Sequence, residues 1–148
     1  MLTGVDLVAE QLRVAAGERL SFTQEQVTLT GAAIECRINA EDPAAGFRPT
    51  PGTLAVFNPP GGPGVRVDSG FAQGDRVPPD YDSLIAKLVV WAPTRAQAIA
   101  RADRALAEFE VEGPGVATTI PLLRELLALP EFAKATHTTR FVEEYLSR

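Results

Sequence analysis

One short segment carries most of the chemistry that the sequence offers. In Ala33-Ile34-Glu35-Cys36-Arg37-Ile38-Asn39 apolar and polar residues alternate, the period of a half-buried strand. Successive strand side chains point to opposite sides, so Ile34, Cys36 and Ile38 share one face and Glu35, Arg37 and Asn39 the other. A guanidinium held on such a face can stabilise negative charge developing on a bound oxygen. Asp82, in the corner Pro78-Pro79-Asp80-Tyr81-Asp82-Ser83, and Lys87, inside the otherwise apolar run 84–92, are available to join it. Lys87 is predicted to meet a carboxylate, a carbonyl or a wet cleft, because an unpaired buried ammonium is costly. Taken alone, the charged row fits the wetted side of an antiparallel sheet better than it fits a site.

Other chemistries are poorly supplied. The single histidine, His137, lies in the polar stretch Lys134-Ala-Thr-His-Thr-Thr139 and reads as an exposed loop residue without a nucleophile beside it. The single cysteine, Cys36, occupies an apolar strand position, where a buried, inert thiol is expected. Gly61-Gly62-Pro63-Gly64 leads into a strand and lacks a following Lys-Ser or Lys-Thr, so it reads as a hairpin turn and not as a phosphate loop. The carboxylate pairs Glu41-Asp42 and Asp80/Asp82 fall in loops, where capping or solvated charge is the usual role. No metal site is expected.

The elements that must position these residues follow from periodicity. Residues 3–17 read as a helix with Thr3 as N-cap and Gly17 as stop. Val27 and Leu29 alternate with polar neighbours as a strand would, before Gly31 breaks the run. Segment 42–52 reads as loop, 54–57 as a short strand, 58–64 as a Pro/Gly turn and 65–68 as the returning strand, with Arg66 and Asp68 on one face. The run 84–92 is a strand buried on both faces. Thr94 caps a helix to about residue 110, Gly113-Pro-Gly115 ends it, a helix runs from Ile120 to Pro130, and a short one spans 140–146. Strands mostly precede helices, which predicts α+β: helices packed against an antiparallel β-sheet.

The chain has 148 residues, 45% hydrophobic and 22% charged, a composition that excludes disorder and fits about one domain. Fourteen basic against nineteen acidic residues leave a net charge of -5, so neither nucleic acid nor an anionic membrane is an expected partner. One cysteine forms no internal disulfide, and no signal-peptide pattern or long apolar run is present. A cytoplasmic setting is the default expectation.

The motifs Thr3-Gly-Val-Asp-Leu7, Glu35-Cys-Arg-Ile-Asn-Ala-Glu-Asp42, Pro51-Gly52, Pro60-Gly61 through Val65-Arg66, and Tyr81-Asp-Ser83 with Lys87 resemble the C-terminal part of biotin carboxylase. The resemblance runs in order over nearly the whole chain. It implies two parts: residues 1–30 as the tail of an ATP-grasp region with its connector, and 31–148 as the C-terminal domain. In that family bicarbonate and MgATP give carboxyphosphate, and the carboxyl group passes to N1′ of biotin on a carrier. By resemblance, ATP and Mg2+ belong mainly to an upstream ATP-grasp region that these residues do not contain. Biotin belongs to a separate biotin carboxyl carrier domain and the acceptor step to a carboxyltransferase. The isolated chain is then expected to be inactive.

Arg37 matches the family arginine that faces bicarbonate and the biotin ureido oxygen, with Glu35 and Asn39 as its orienting neighbours. Asp82 matches an acid on the same wall, and Lys87 a lysine behind it. Arg66 and the Pro63 corner match a dimer contact, although Pro63 stands where some bacterial enzymes carry a large aromatic residue. Only Lys87 and Lys134 supply lysines and Met1 is the sole methionine, which does not fit the carrier itself. The resemblance points to an acyl-CoA carboxylase of the acetyl- or propionyl-CoA type or a related one, through it to fatty acid biosynthesis, and more distantly to pyruvate carboxylase and urea carboxylase. The alternative is a non-catalytic binding or dimerisation module, with a small hydrolase using His137 more remote.

Overall fold

A computed structural model describes residues 1–147. Helix α1 (Leu7–Ala15) comes first, then strands β1 (Ala32–Asn39), β2 (Glu41–Asp42), β3 (Arg48–Pro49), β4 (Gly52–Thr53), β5 (Val56–Asn58), β6 (Val65–Ser69), β7 (Arg76–Val77) and β8 (Leu84–Ala92). Helix α2 (Arg95–Glu108), strand β9 (Glu110–Glu112) and helices α3 (Ile120–Leu127), α4 (Pro130–Ala133) and α5 (Phe141–Leu146) complete the chain. All strand pairs are antiparallel. The α+β architecture expected from the order of periodicities is therefore present.

The central sheet has the order β1-β8-β6. Its apolar face carries Ile34, Cys36 and Ile38 of β1 with Leu88 and Val90 of β8, all buried. Helix α2 lies against that face through Ala98, Ala102, Ala105 and Leu106. The three alanines sit at helical spacing, and their small side chains let the helix approach the sheet closely. Ile38 and Leu88 are fully enclosed, each contributing about 1.5–3 kcal/mol by burial. The helix begins where expected, Thr94 accepting from the Gln97 N–H.

Several local expectations are corrected. Asp6, not Thr3, caps α1 by accepting the Ala9 N–H at 3.0 Å. Thr3 Oγ1 instead accepts from the Val5 N–H in a turn, and Gly4 beside it has φ 71°, a left-handed conformation outside a helix. Val27 and Leu29 form no strand: the segment has a 3-10 turn at Gln24–Gln26, and Leu29 is 74% exposed. Alternation without a partner strand does not make a sheet. Segment 42–52 is not all loop, since β2 and β3 pair Glu41 with Pro49 around a turn at Gly46. The strand expected over 54–57 is shorter and shifted: Leu54 is buried in a break between β4 and β5, and only Val56 and Phe57 of that span are in a strand.

The expected hairpin across 58–64 is also absent. β6 pairs with β8, whereas β5 pairs with β9, Phe57 lying opposite Val111. The reason lies at the end of α2, which stops at Glu108 instead of residue 110 because Phe109 turns to extended backbone and enters the core. Its ring meets Phe57 edge-on at 5.5 Å, a favourable aromatic geometry, and the next three residues run on as β9. The helix expected from Ile120 to Pro130 likewise ends at Leu127, and Pro130 opens α4. The last helix starts at Phe141 with Arg140 as its cap residue.

Candidate functional site

The face of the central sheet opposite α2 carries the charged row. The register places Arg37 opposite Lys87 and Lys87 opposite Asp68, while Glu35 lies opposite Val89 and Val89 opposite Arg66. Strand alternation thus gathers three cations and two carboxylates from three strands on one side. Asp82 joins them from the corner before β8, its Oδ2 lying 3.7 Å from Arg37 Nη2. Asp82 Oδ1 accepts the Leu84 N–H at 3.0 Å, an Asx-type turn that orients the carboxylate. Arg66 Nη2 reaches Asp68 Oδ2 at 3.1 Å.

Glu35 shares the exposed face with Arg37, but its carboxylate makes no hydrogen bond or ion pair among the described residues. Asn39 departs from the row. A β-bulge lies between Ile38 and Asn39, which breaks the alternation, and its Nδ2 donates to Glu41 Oε1 at 3.1 Å. Lys87 is half-buried and has no ion pair among the described residues. Pro63 and Arg66 are both exposed.

Two supporting residues are not among the site residues to which the sequence points. Thr119, only 7% exposed, donates its hydroxyl to Arg37 O at 3.0 Å and accepts the Asn39 N–H at 3.1 Å. Its own N–H donates to Asn39 O at 3.1 Å. A threonine before a helical proline reads as a cap, yet this side chain makes no cap bond and serves the free edge of β1. Glu41, which reads as loop charge, accepts from both Asn39 Nδ2 and Ser83 Oγ.

Cys36 and His137 are accounted for otherwise. Burial, with the Glu35 carboxylate as a lesser cause, pushes the Cys36 thiol up to about 12, far from a thiolate at neutral pH. His137 is exposed, and its ring stacks on Phe132 at 4.9 Å. Among the described residues no three His, Cys, Asp or Glu side chains gather as a metal site. No described helix is long and apolar enough to cross a membrane.

A family model for the biotin carboxylase C-terminal domain matches residues 35–144. The chain belongs to that family. A biotin carboxylase of Nostoc sp. is 54% identical over 144 residues, 97% of this chain and 32% of that protein. A pyruvate carboxylase subunit of Methanothermobacter thermautotrophicus is 50% identical, over 98% of this chain and 29% of its own length. Among solved structures, the biotin carboxylase domain of a thermophilic 2-oxoglutarate carboxylase bound to bicarbonate matches with a TM-score of 0.94 and 49% identity, over 99% of this chain and 32% of that one. The chain therefore spans about a third of the length of the curated relatives it matches. The charged sheet face described above belongs to a biotin carboxylase C-terminal domain.

Proposed function

We propose that this domain forms one wall of a biotin carboxylation site and that Arg37 is its catalytic residue. The observation that carries the reading is the Arg37 side chain, 50% accessible, on the side of the sheet opposite α2, with its Asp82 counter-ion also open to solvent. When biotin N1′ loses its proton, negative charge builds on the ureido oxygen. A guanidinium already in place stabilises that charge without reorganising. Bicarbonate, bound in the related 2-oxoglutarate carboxylase domain, is an anion that the same group suits. Asp82 limits the motion of Arg37, Glu35 lies on the same face, and Asn39 supports the wall from behind through its bond to Glu41.

The described residues do not fit ATP or Mg2+: they contain no acidic cluster for the metal, and the glycine-rich corner enters β6 and not a helix. No nucleotide step is assigned to this chain. Those steps fall to an ATP-grasp region upstream, biotin to a carrier domain, and acceptor chemistry to a carboxyltransferase, with an acyl-CoA as acceptor. In this reading residues 1–30 are the tail of the ATP-grasp region with its connector and 31–148 the domain proper, with Arg66 and the Pro63 corner meeting a second copy.

The deciding experiment is Arg37→Ala in the complete carboxylase. Carboxybiotin formation should fall about a hundredfold or more, the usual loss when one oxyanion stabiliser is removed. Near-normal carboxylation would favour a binding or dimerisation role instead. The isolated chain, given MgATP, bicarbonate and biotin, should form no carboxybiotin.

A further inference from the structure

We propose that Glu41 is a positioning residue for Arg37, acting through Ser83 and Asp82; this rests on the assignment of Arg37 to the biotin carboxylation wall. Glu41 begins β2, and one oxygen of its half-buried carboxylate takes two donors, Asn39 Nδ2 at 3.1 Å and Ser83 Oγ. The donors come from the two segments that make the ion pair. Asn39 ends the strand that bears Arg37, and Ser83 directly follows Asp82. The backbone repeats the link, the Ala40 N–H donating to Ser83 O at 2.8 Å. Glu41 therefore ties the end of the arginine strand to the corner that holds the counter-ion.

The bulge shows that this tie is built at a cost. Because the register shifts after Ile38, Asn39 faces Leu84 and turns its amide toward Glu41. Asn39 Oδ1 is left buried without a hydrogen-bond partner, an unfavourable state that surroundings must enforce. Turning the amide over would set Oδ1 against the Glu41 carboxylate, so Glu41 dictates the orientation. Asp82 is then restrained twice: Oδ1 by the Leu84 N–H at 3.0 Å, and its backbone by the anchored Ser83. Oδ2 is left facing Arg37 Nη2. An exposed ion pair alone positions little; one whose carboxylate is fixed limits where the guanidinium can rest.

The test is a double-mutant cycle in the complete carboxylase, reading carboxybiotin formation per folded enzyme. Glu41→Ala should lower kcat about tenfold, and Glu41→Gln, whose carbonyl still accepts both donors, should recover to within about twofold of the parent. In an Arg37→Ala background Glu41→Ala should add no further loss, because residues acting through one another are non-additive. Additive losses, or a silent Glu41→Ala beside a defective Arg37→Ala, would overturn the positioning role alone. A silent Arg37→Ala would overturn the assignment of Arg37 itself, and the positioning role with it. Should Glu41→Ala fail to fold, Ser83→Ala removes the same link while the Asn39 bond stays, and the same outcomes decide.

Discussion

Arg37 Nη2 and Asp82 Oδ2 stand 3.7 Å apart, with 50% and 67% of their side chains exposed. A pair so wet contributes little to folding, because solvent screens it and two flexible side chains must be ordered to make it. Its value lies in where it holds the guanidinium. Asp82→Asn is expected to leave thermal stability within about 1 kcal/mol of the parent while lowering carboxybiotin formation about tenfold in the complete carboxylase. Thermal unfolding and steady-state kinetics on the same preparation check both halves, and an equal loss in each would refute the division.

Thr119 offers the opposite balance. Its buried hydroxyl serves Arg37 O and the Asn39 N–H at once. Thr119→Val keeps the shape and strands both backbone groups, so a loss of about 1–3 kcal/mol is expected. Thr119→Ser, which keeps the hydroxyl, should retain most of the stability. Urea unfolding of the two variants provides the comparison.

Cys36 gives a pH dependence with a definite sign. Its thiol sits near 12 in the folded chain against 9.0 for the free group. A raised folded value means that the stabilising difference is fully present below about pH 9 and is lost as pH rises toward 12, since the unfolded chain gives up its proton first. Stability should therefore decline over that window, and Cys36→Ala should flatten the decline. In the native state at pH 8 the thiol should resist alkylation and react only after unfolding.

Gly31 marks a close approach. Its φ is 76°, and a Cβ there would lie 2.5 Å from Ala92 O and 2.7 Å from Trp91 Nε1. Trp91 Nε1 also donates to Thr30 O at 2.7 Å. Gly31→Ala should cost about 1–3 kcal/mol through backbone strain and displacement of the indole, read as a lower Tm and a change in tryptophan fluorescence.

The parts of the site that repeat at fixed spacing were legible in the sequence. Ile34, Cys36 and Ile38 are buried while Glu35 and Arg37 are exposed, as period two requires. The pattern failed at Asn39, because a bulge inserts itself where no glycine or proline announces one. Thr119 was hidden for a different reason: its partners Arg37 and Asn39 lie far away in the chain, and only tertiary packing brings an unremarkable threonine to a strand edge. Strand β9 was hidden by its brevity, three residues after a long helix, and with it went the true partner of β5. Local chemistry announces turns and faces; it does not announce which strand will arrive beside which.

The strand order β1-β8-β6 also bears on the route by which the sheet assembles. Within the sheet β1 and β6 each pair only with β8, which is made last of the three, and the outermost rung joins Ala32 to Ala92. Neither edge strand can begin its ladder before the centre exists, and each must close a long loop to do so. Non-local pairing of this kind slows folding. A growing polypeptide therefore carries the arginine strand unpaired through the synthesis of some fifty further residues, about the spacing from Arg37 to Lys87.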